Sequence, residues 1–246
     1  MDDTTLTLTV DGVEIEATPG QTIIQACDDA GIYIPRLCYH PELSPGGHCR
    51  VCSVEVNGRI VGACHTPVTD GMVVENETPA LTSDRRAIIE MLFVSGNHRC
   101  PECEKSGDCD LQALAYRLDL LAPTEPYLEP ARGIDATHPD VYIDRDRCIL
   151  CGLCVRASET LDGKSVFGFK GRGIEMQLAV NSADGLGDTN LDLADKAAHI
   201  CPVGAILIKR TGNSAPWGKR AFDREPIGAD IEAKRTARPA QEPERH

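Results

Sequence analysis

The stretch Cys148-Ile149-Leu150-Cys151-Gly152-Leu153-Cys154 sets three thiols two residues apart, and a fourth, Cys201, follows far downstream, directly before Pro202. A tight loop of this spacing turns successive sulfurs inward, and a distant cysteine closes the cage around an iron–sulfur cluster. In two-cluster ferredoxins a fourth cysteine of the run serves the other cluster, but here that position is Ser158. We therefore predict one [4Fe–4S] centre, with the ligands Cys148, Cys151, Cys154 and Cys201.

Two further groups of metal-binding residues precede this stretch. The first is spaced C-x10-C-x2-C-x11-C, a loop-extended form of the plant-type [2Fe–2S] spacing. It predicts a [2Fe–2S] centre with the ligands Cys38, Cys49, Cys52 and Cys64. The second has only three cysteines, preceded by a histidine. It predicts a second [4Fe–4S] centre, with one imidazole and three thiolates, at His98, Cys100, Cys103 and Cys109.

The prediction of a histidine ligand depends on its position. A lone histidine is usually a surface residue, but His98 stands two residues before a cysteine triplet that lacks a fourth ligand. An imidazole in place of a thiolate makes a cluster less negative and favours electron uptake. Three other histidines near cysteines are expected to be loop or surface residues: His40, His48 and His65.

The three sets use eleven of the twelve cysteines, and Cys27 is left over. Cys27 falls on the apolar face of a predicted helix over about 22–30, so we expect a small buried core residue. Zinc is the competing metal, because sites of four thiolates, or of three and one imidazole, use similar C-x2-C steps. Zinc ribbons usually have two separated pairs, whereas a run of three favours a cubane cluster. A zinc-stabilised scaffold stays open as the alternative.

Composition limits the class of protein. The formal net charge of the 246 residues is −13, which argues against a nucleic-acid partner. The N-terminus, 1–4, lacks the basic and apolar parts of a secretory signal. Apolar patches such as 88–94 are too short to cross a bilayer, so no membrane partner is expected. The chain is expected to be cytoplasmic, where thiols stay reduced and cysteine clusters indicate metal.

Periodicity predicts an α+β chain of three small modules. Residues 1–78 combine alternating hairpins around Asp11-Gly12 and Asn57-Gly58 with one helix, which indicates a β-grasp [2Fe–2S] module. Residues 79–125 predict two helices flanking the second ligand set. Residues 138–212 predict a ferredoxin-type [4Fe–4S] module, with a strand at 141–143, a strand insertion over 155–190 and a helix over 191–199. Prolines 123, 126 and 130 mark a linker.

The polar segment 213–246 predicts an extended or disordered tail. It contains the single tryptophan, Trp217, which is either a local anchor onto the parent module or a docking residue for a partner. Glycine-rich stretches fail as nucleotide sites: Gly163-Lys164-Ser165 ends like a phosphate loop, but Ser158 stands where a glycine is required. No catalytic residue is predicted on this chain, so any NAD chemistry is expected elsewhere.

Six stretches carry a resemblance to a known family: Tyr33–Tyr39, Cys49–Val54, Gly96–His98, Cys103–Gly107, Arg145–Ile149 and Ile200–Gly204. Over about 4–212 the chain resembles the small diaphorase subunit of NAD-reducing [NiFe]-hydrogenases. It also resembles the N-terminal part of the large iron–sulfur subunit of complex I, and the front of [FeFe]-hydrogenases and NAD-dependent formate dehydrogenases. Only Arg99 separates His98 from Cys100, where the complex I pattern has three residues, and the diaphorase subunit is similar to this chain in that shortening.

The resemblance implies a function in electron transfer. A flavoprotein diaphorase subunit would bind FMN and exchange hydride with NAD, and the small and large [NiFe]-hydrogenase subunits would make or split hydrogen. This chain would pass single electrons between them through its three clusters. An equivalent relay in a formate dehydrogenase or a complex I-like assembly is the alternative within the same class.

Overall fold

The structure is a computed structural model that describes residues 5–128 and 131–237. The N-terminal residues 1–4, the linker residue Pro130 and the tail beyond 237, on which three of the predictions fall, lie outside the described residues. The described chain is mixed α/β and divides into two compact units. The first unit comprises 5–35, 52–81 and 227–237, and the second comprises 36–51, 82–128 and 131–226. The three-module division of the sequence stays a prediction.

The first unit is built on a five-stranded sheet crossed by one helix. Its elements are β1 (Leu6–Val10), β2 (Val13–Ala17), α1 (Ile23–Asp29), β3 (Ser53–Val56), β4 (Arg59–Gly62) and β5 (Met72–Glu75). The strand order is β2-β1-β5-β3-β4, with β1 parallel to β5 and the other pairs antiparallel. The tight turns fall at Asp11-Gly12 and Asn57-Gly58, whose residues all have positive φ, as two-residue hairpins require.

Helix α1 closes the core of this unit. Thr22 precedes the helix, and Gln25 accepts a hydrogen bond from the Thr22 backbone N–H at 2.9 Å, which completes a capping box. Ile23, Ile24 and Cys27 are fully buried. The expectation that Cys27 is a core residue is therefore confirmed.

The second unit contains most of the helices. Its elements are α2 (Pro79–Val94), α3 (Asp110–Arg117), β6 (Ile134–Asp135), β7 (Val141–Asp144), α4 (Leu153–Thr160), β8 (Phe167–Lys170), β9 (Gln177–Val180), α5 (Lys196–His199) and β10 (Ile206–Ile208). The division between the units falls inside α2, after Leu81. Strands β10, β7 and β6 form one sheet, and β8 and β9 form a hairpin.

Two sequence expectations in this unit need correction. The stretch 155–190 does not consist of strands alone, because the cysteine loop runs directly into α4 and the β8–β9 hairpin follows. Gly152, in the left-handed region at φ 71°, makes this sharp entry. The helix expected over 191–199 is reduced to the single turn α5, and the preceding residues are held by side-chain turns such as Ala194 N–H to Asp192 Oδ1 (2.8 Å).

The expectation of an extended tail over 213–246 was wrong for its described end, which forms α6 (Ala229–Ala237). Acidic residues lie in its first turn and basic residues in its last, which matches the helix dipole. Helix α6 packs against α1 in the first unit, where Lys234 Nζ donates to the Asp28 carbonyl at 3.1 Å. Ile227, just before it, is buried. Tertiary contact thus orders a segment whose composition favours disorder.

The helices of the described residues include none that is both long and apolar enough to cross a membrane.

Candidate metal centres

The second predicted ligand set surrounds one small cavity in the second unit. The cavity is lined by all four residues of the set and by neighbours that include Phe93, Leu111 and Gly204. His98 follows α2, Cys100 opens a 3-10 turn, and Cys109 is the N-cap residue of α3. Two helix ends and the turn between them therefore bring together the residues that the sequence predicts: His98, Cys100, Cys103 and Cys109.

The ring of His98 is held in place by packing. It meets Phe93 edge to face at 5.6 Å between ring centroids, and the neighbouring Asn97 N–H donates to the Asp146 carbonyl at 2.8 Å. Burial, with Arg147 and Arg132 nearby, lowers the pKa of His98 to about 4. The imidazole is therefore neutral at pH 7, the form that binds a metal.

Arg147 lies at the edge of this cavity. Its Nη1 is 3.7 Å from Cys103 Sγ and 2.6 Å from Glu104 Oε2, and its Nε is 2.9 Å from Asp144 Oδ2. The two carboxylates orient the guanidinium towards the sulfur. A cation at this distance offsets negative charge in the cavity.

The third predicted set surrounds a second cavity in the same unit. Its lining combines apolar residues such as Ile149, Leu178 and Ile206 with all four cysteines of the set. A 3-10 turn, capped by the Asp144 side chain, precedes the cysteine loop, and α5 leads into the distant cysteine. The structure thus brings together Cys148, Cys151, Cys154 and Cys201.

Both cavities are costly places for a thiolate without a metal. Burial raises the pKa of Cys109 to about 12 and that of Cys148 to about 11, and it raises the pKa values of Cys151 and Cys154 well above the usual range of a thiol. Metal ligation displaces the thiol proton and compensates the charge. Deep thiols whose burial disfavours the charged form therefore fit a cluster of iron ions, which supplies positive charge at bonding distance.

The two cavities are neighbours, separated by one short segment. Cys201, Pro202 and Val203 line the third-set cavity, and the next residue, Gly204, lines the second-set cavity. The carbonyl of Pro202 accepts a hydrogen bond from the Asp110 N–H at 2.9 Å, which joins the segment to the start of α3. A side chain at 204 would place its Cβ 2.8 Å from Cys103 Sγ, so only glycine allows this approach.

The first predicted set is divided between the units. In the second unit, the Cys49 N–H donates to Cys38 Sγ at 3.5 Å. A hydrogen bond from the Cys49 thiol lowers the pKa of Cys38 to about 5, and the same contact raises the pKa of Cys49. In the first unit, β3 and β4 pair with Ser53 opposite Gly62. Cys52 and Cys64 therefore flank the same end of this strand pair.

Two histidines lie closer to cysteines than the sequence indicated. The His65 Nδ1 is 3.6 Å from the Cys64 Sγ, and the absence of a side chain at Gly62 leaves room for its ring. His48 approaches the third-set loop, since a Cβ at Gly152 would lie 3.3 Å from His48 Nε2. In the sequence, nothing distinguishes His48 and His65 from ordinary loop histidines. Only the fold shows that His65 lies close to Cys64 and His48 close to the third-set loop.

The segment 214–223 lies on the cysteine loop of the second set. Ser214 N–H donates to the Glu104 carbonyl at 2.8 Å, and Phe222 N–H to the Gly107 carbonyl at 3.0 Å. Arg220 stacks over the Trp217 ring at 4.9 Å, and that ring is 76% exposed. Sequence periodicity carries no signal for such backbone contacts between loops.

No three His, Cys, Asp or Glu side chains within residues 5–128 and 131–237 are grouped tightly enough to hold a single metal ion. A cubane cluster binds each protein ligand through a different iron, so its ligands line a cavity instead of converging on one point. The two cavities have that arrangement.

Comparisons with known proteins match an iron–sulfur family model to each of the three regions. Residues 3–79 match the 2Fe-2S iron-sulfur cluster binding domain, residues 85–122 the NADH-ubiquinone oxidoreductase-G iron-sulfur binding region, and residues 141–208 the 4Fe-4S single cluster domain. The gamma subunit of the NAD-reducing hydrogenase HoxS from Cupriavidus necator is 38% identical over 90% of this chain and 95% of its own length. The chain belongs to the family of NAD-reducing hydrogenase gamma subunits. The expected 2Fe-2S and 4Fe-4S cofactors are thereby confirmed.

A chain of one solved structure is similar to this protein over nearly its whole length. A chain in the crystal structure of an NAD+-reducing [NiFe]-hydrogenase in the H2-reduced state is 50% identical, with a TM-score of 0.88, over 94% of this chain and 98% of that one. The mitochondrial 78 kDa subunit of NADH-ubiquinone oxidoreductase from Candida albicans is 34% identical over 85% of this chain, which spans only 29% of that protein. The match to the hydrogenase subunit therefore covers nearly all of that subunit, whereas the match to the complex I subunit covers less than a third of that protein.

Proposed function

We propose that this chain relays single electrons through three iron–sulfur centres between a flavin- and NAD(H)-binding subunit and a [NiFe]-hydrogenase module. The observation that carries the proposal is the pair of neighbouring cavities, each lined by a complete predicted ligand set. Electron tunnelling falls steeply with distance, so a relay needs clusters that are close together and insulated from water. Only the short segment 201–204 separates the two cavities, and buried apolar side chains contribute to their linings. Both features support an electron relay.

The proposed ligands follow the predicted sets. The [2Fe–2S] centre would be held by Cys38, Cys49, Cys52 and Cys64, the middle [4Fe–4S] centre by His98, Cys100, Cys103 and Cys109, and the third-module [4Fe–4S] centre by Cys148, Cys151, Cys154 and Cys201. The clusters supply one-electron oxidation and reduction, and the chain holds their spacing and tunes their potentials through ligands, hydrogen bonds and burial. The proposal of a single [2Fe–2S] site is supported by the C-x10-C-x2-C-x11-C spacing of its cysteines in the sequence.

Substrate chemistry is assigned to partner subunits. A flavoprotein diaphorase subunit with FMN would receive hydride from NADH and release electrons singly, and small and large [NiFe]-hydrogenase subunits would carry the reaction of hydrogen. The chain is a subunit of an oxidoreductase complex, and we assign it no substrate-converting residue. We also propose a cytoplasmic location, because thiols stay reduced in the cytoplasm and cysteine clusters can bind metal there. Purification of the complex and identification of its subunits by mass separates this assembly from a formate dehydrogenase or complex I-like one.

Metal content is the first test of the proposal. The anaerobically purified protein should be brown and contain about ten irons per chain, with electron paramagnetic resonance signals from one [2Fe–2S] and two [4Fe–4S] centres. Iron chelation after oxidation should bleach it. A colourless protein with about three zinc ions would instead support the structural scaffold.

Gly204 offers a test of the close approach between the two cavities. In Gly204→Ala the new Cβ would meet Cys103 Sγ at 2.8 Å and Lys105 Cβ at 3.3 Å, so a proposed ligand must shift. We expect altered signals and partial loss of iron from the middle centre, measured by resonance spectra and iron analysis. Gly168→Ala is the matched control, because its nearest neighbour is 3.7 Å away. Equal spectra in the two variants would contradict the adjacency.

A further inference from the structure

One arginine joins the ligand loops of two different proposed centres. Arg156 lies on α4, two residues after Cys154, within the second unit. Its Nη2 donates to the Cys38 carbonyl at 2.7 Å and also lies 3.5 Å from the Cys151 carbonyl. Cys38 belongs to the [2Fe–2S] set and Cys151 to the third-module set. The same guanidinium nitrogen thus contacts backbone oxygens of ligands from both.

The rest of the guanidinium strengthens this bridge. Nε donates to the Gly152 carbonyl at 3.3 Å, and Nη1 donates to the Ser44 carbonyl. Gly46 leaves room for the group, since a Cβ there would lie 3.2 Å from Arg156 Cζ. A planar guanidinium has five donors in a fixed fork, so it can hold several carbonyls at once. We name residues 36–51, which contain Cys38 and Cys49, the first-centre loop.

Other contacts of the first-centre loop are of a different kind. Glu42 pairs with Lys196 at 2.7 Å, but the two side chains are 55% and 43% exposed, and such surface pairs restrain little. Arg85 Nε donates to the Val51 carbonyl at 3.2 Å, at the far end of the loop. Neither pair includes a cysteine of the third-module set.

We propose that Arg156 is a positioning residue that fixes the first-centre loop, with the proposed [2Fe–2S] ligands Cys38 and Cys49, against the third-module cysteine loop. This inference rests on the proposed relay function. It adds to that function the side chain that sets one of the distances between clusters. Tunnelling falls steeply with distance, so a loop that moved relative to α4 would slow electron exchange between the two centres. A charge-assisted hydrogen bond to the Cys38 carbonyl resists that movement.

The test compares Arg156→Lys and Arg156→Gln in the assembled complex, with Lys196→Ala as the matched control for another contact to the first-centre loop. Lysine keeps the positive charge, but a single ammonium group cannot span both loops as the fork does. We expect both Arg156 variants to keep full iron content. The magnetic interaction between the two reduced centres should weaken, and electron exchange between them, followed after rapid reduction, should slow roughly tenfold or more, since small displacements cost rate steeply. Amide hydrogen exchange in residues 36–51 should also rise.

Three results would overturn the proposal. Wild-type magnetic interaction in both Arg156 variants would mean that the bridge fixes no distance. Wild-type behaviour in Arg156→Lys alone would leave charge, not position, as the role. Loss of the [2Fe–2S] iron in Arg156→Lys would make the residue a support for loop folding. Absence of iron–sulfur signals from the wild-type complex would instead reject the relay function itself. The control Lys196→Ala should match the wild type in every measurement.

Discussion

Replacing Cys201 with alanine is expected to remove the third-module centre and break the relay. Cys201 is the only member of its set that comes from outside the Cys148–Cys154 loop, so it closes the site. Without it, three thiols with raised pKa values line a cavity that lacks its fourth ligand. We expect the iron content to fall from about ten to about six per chain, and NADH-to-hydrogenase electron flow to fall by about two orders of magnitude or more.

Cys27→Ala is the matched control for that loss. It also removes a buried thiol, but from the buried face of α1 in the first unit. We expect full iron content and normal electron flow, with a decrease of about 1 kcal/mol in the free energy of unfolding. Iron analysis, resonance spectra and a chemical denaturation curve measure these effects. Full iron in Cys201→Ala, or a missing cluster in Cys27→Ala, would contradict the ligand assignment.

Short-range rules account for what the sequence predicted correctly. Asp11-Gly12 and Asn57-Gly58 have the positive φ values that two-residue hairpins need, so the turns and flanking strands could be placed from residue type alone. Cysteine spacing indicated which thiols share a cavity for the same reason, since local geometry brings together three thiols of one loop. His98 lines the cavity of the second set, and its role as a ligand stays a prediction.

Long-range packing accounts for what the sequence could not predict. Helix α6 is polar, and its order comes with packing against α1, far away in the chain. Arg156 and Cys38 are 118 positions apart, and Gly204 is set against Cys103 only by the fold. Helix α4 was missed because its buried face, Leu153, Cys154, Ala157 and Ser158, holds only one large apolar residue. Local sequence patterns therefore carry no information on Arg156 and Gly204, which we propose set the spacing of the centres.

Substitution of His98 is expected to have the largest effect on the middle centre alone. His98→Ala removes one of four proposed ligands, so we expect loss of that centre, with about six irons per chain left. His98→Cys supplies a thiolate instead and should keep the cluster. The added negative charge disfavours reduction, so the midpoint potential of that centre should fall by on the order of 100 mV. Potentiometric titration with resonance detection measures this shift.

The control is His138→Ala, which removes a buried histidine of the same unit that accepts hydrogen bonds from the Asp140 and Val141 N–H groups at 3.1 and 3.2 Å. Leaving those donors unpaired should cost about 1–3 kcal/mol of stability but no iron. A structural role for His98 predicts the same outcome as His138→Ala: lower stability, unchanged potentials and three intact signals. Only ligation predicts that cysteine restores the iron which alanine loses, at a lower potential, so a His98→Cys potential equal to that of the wild type would reject it.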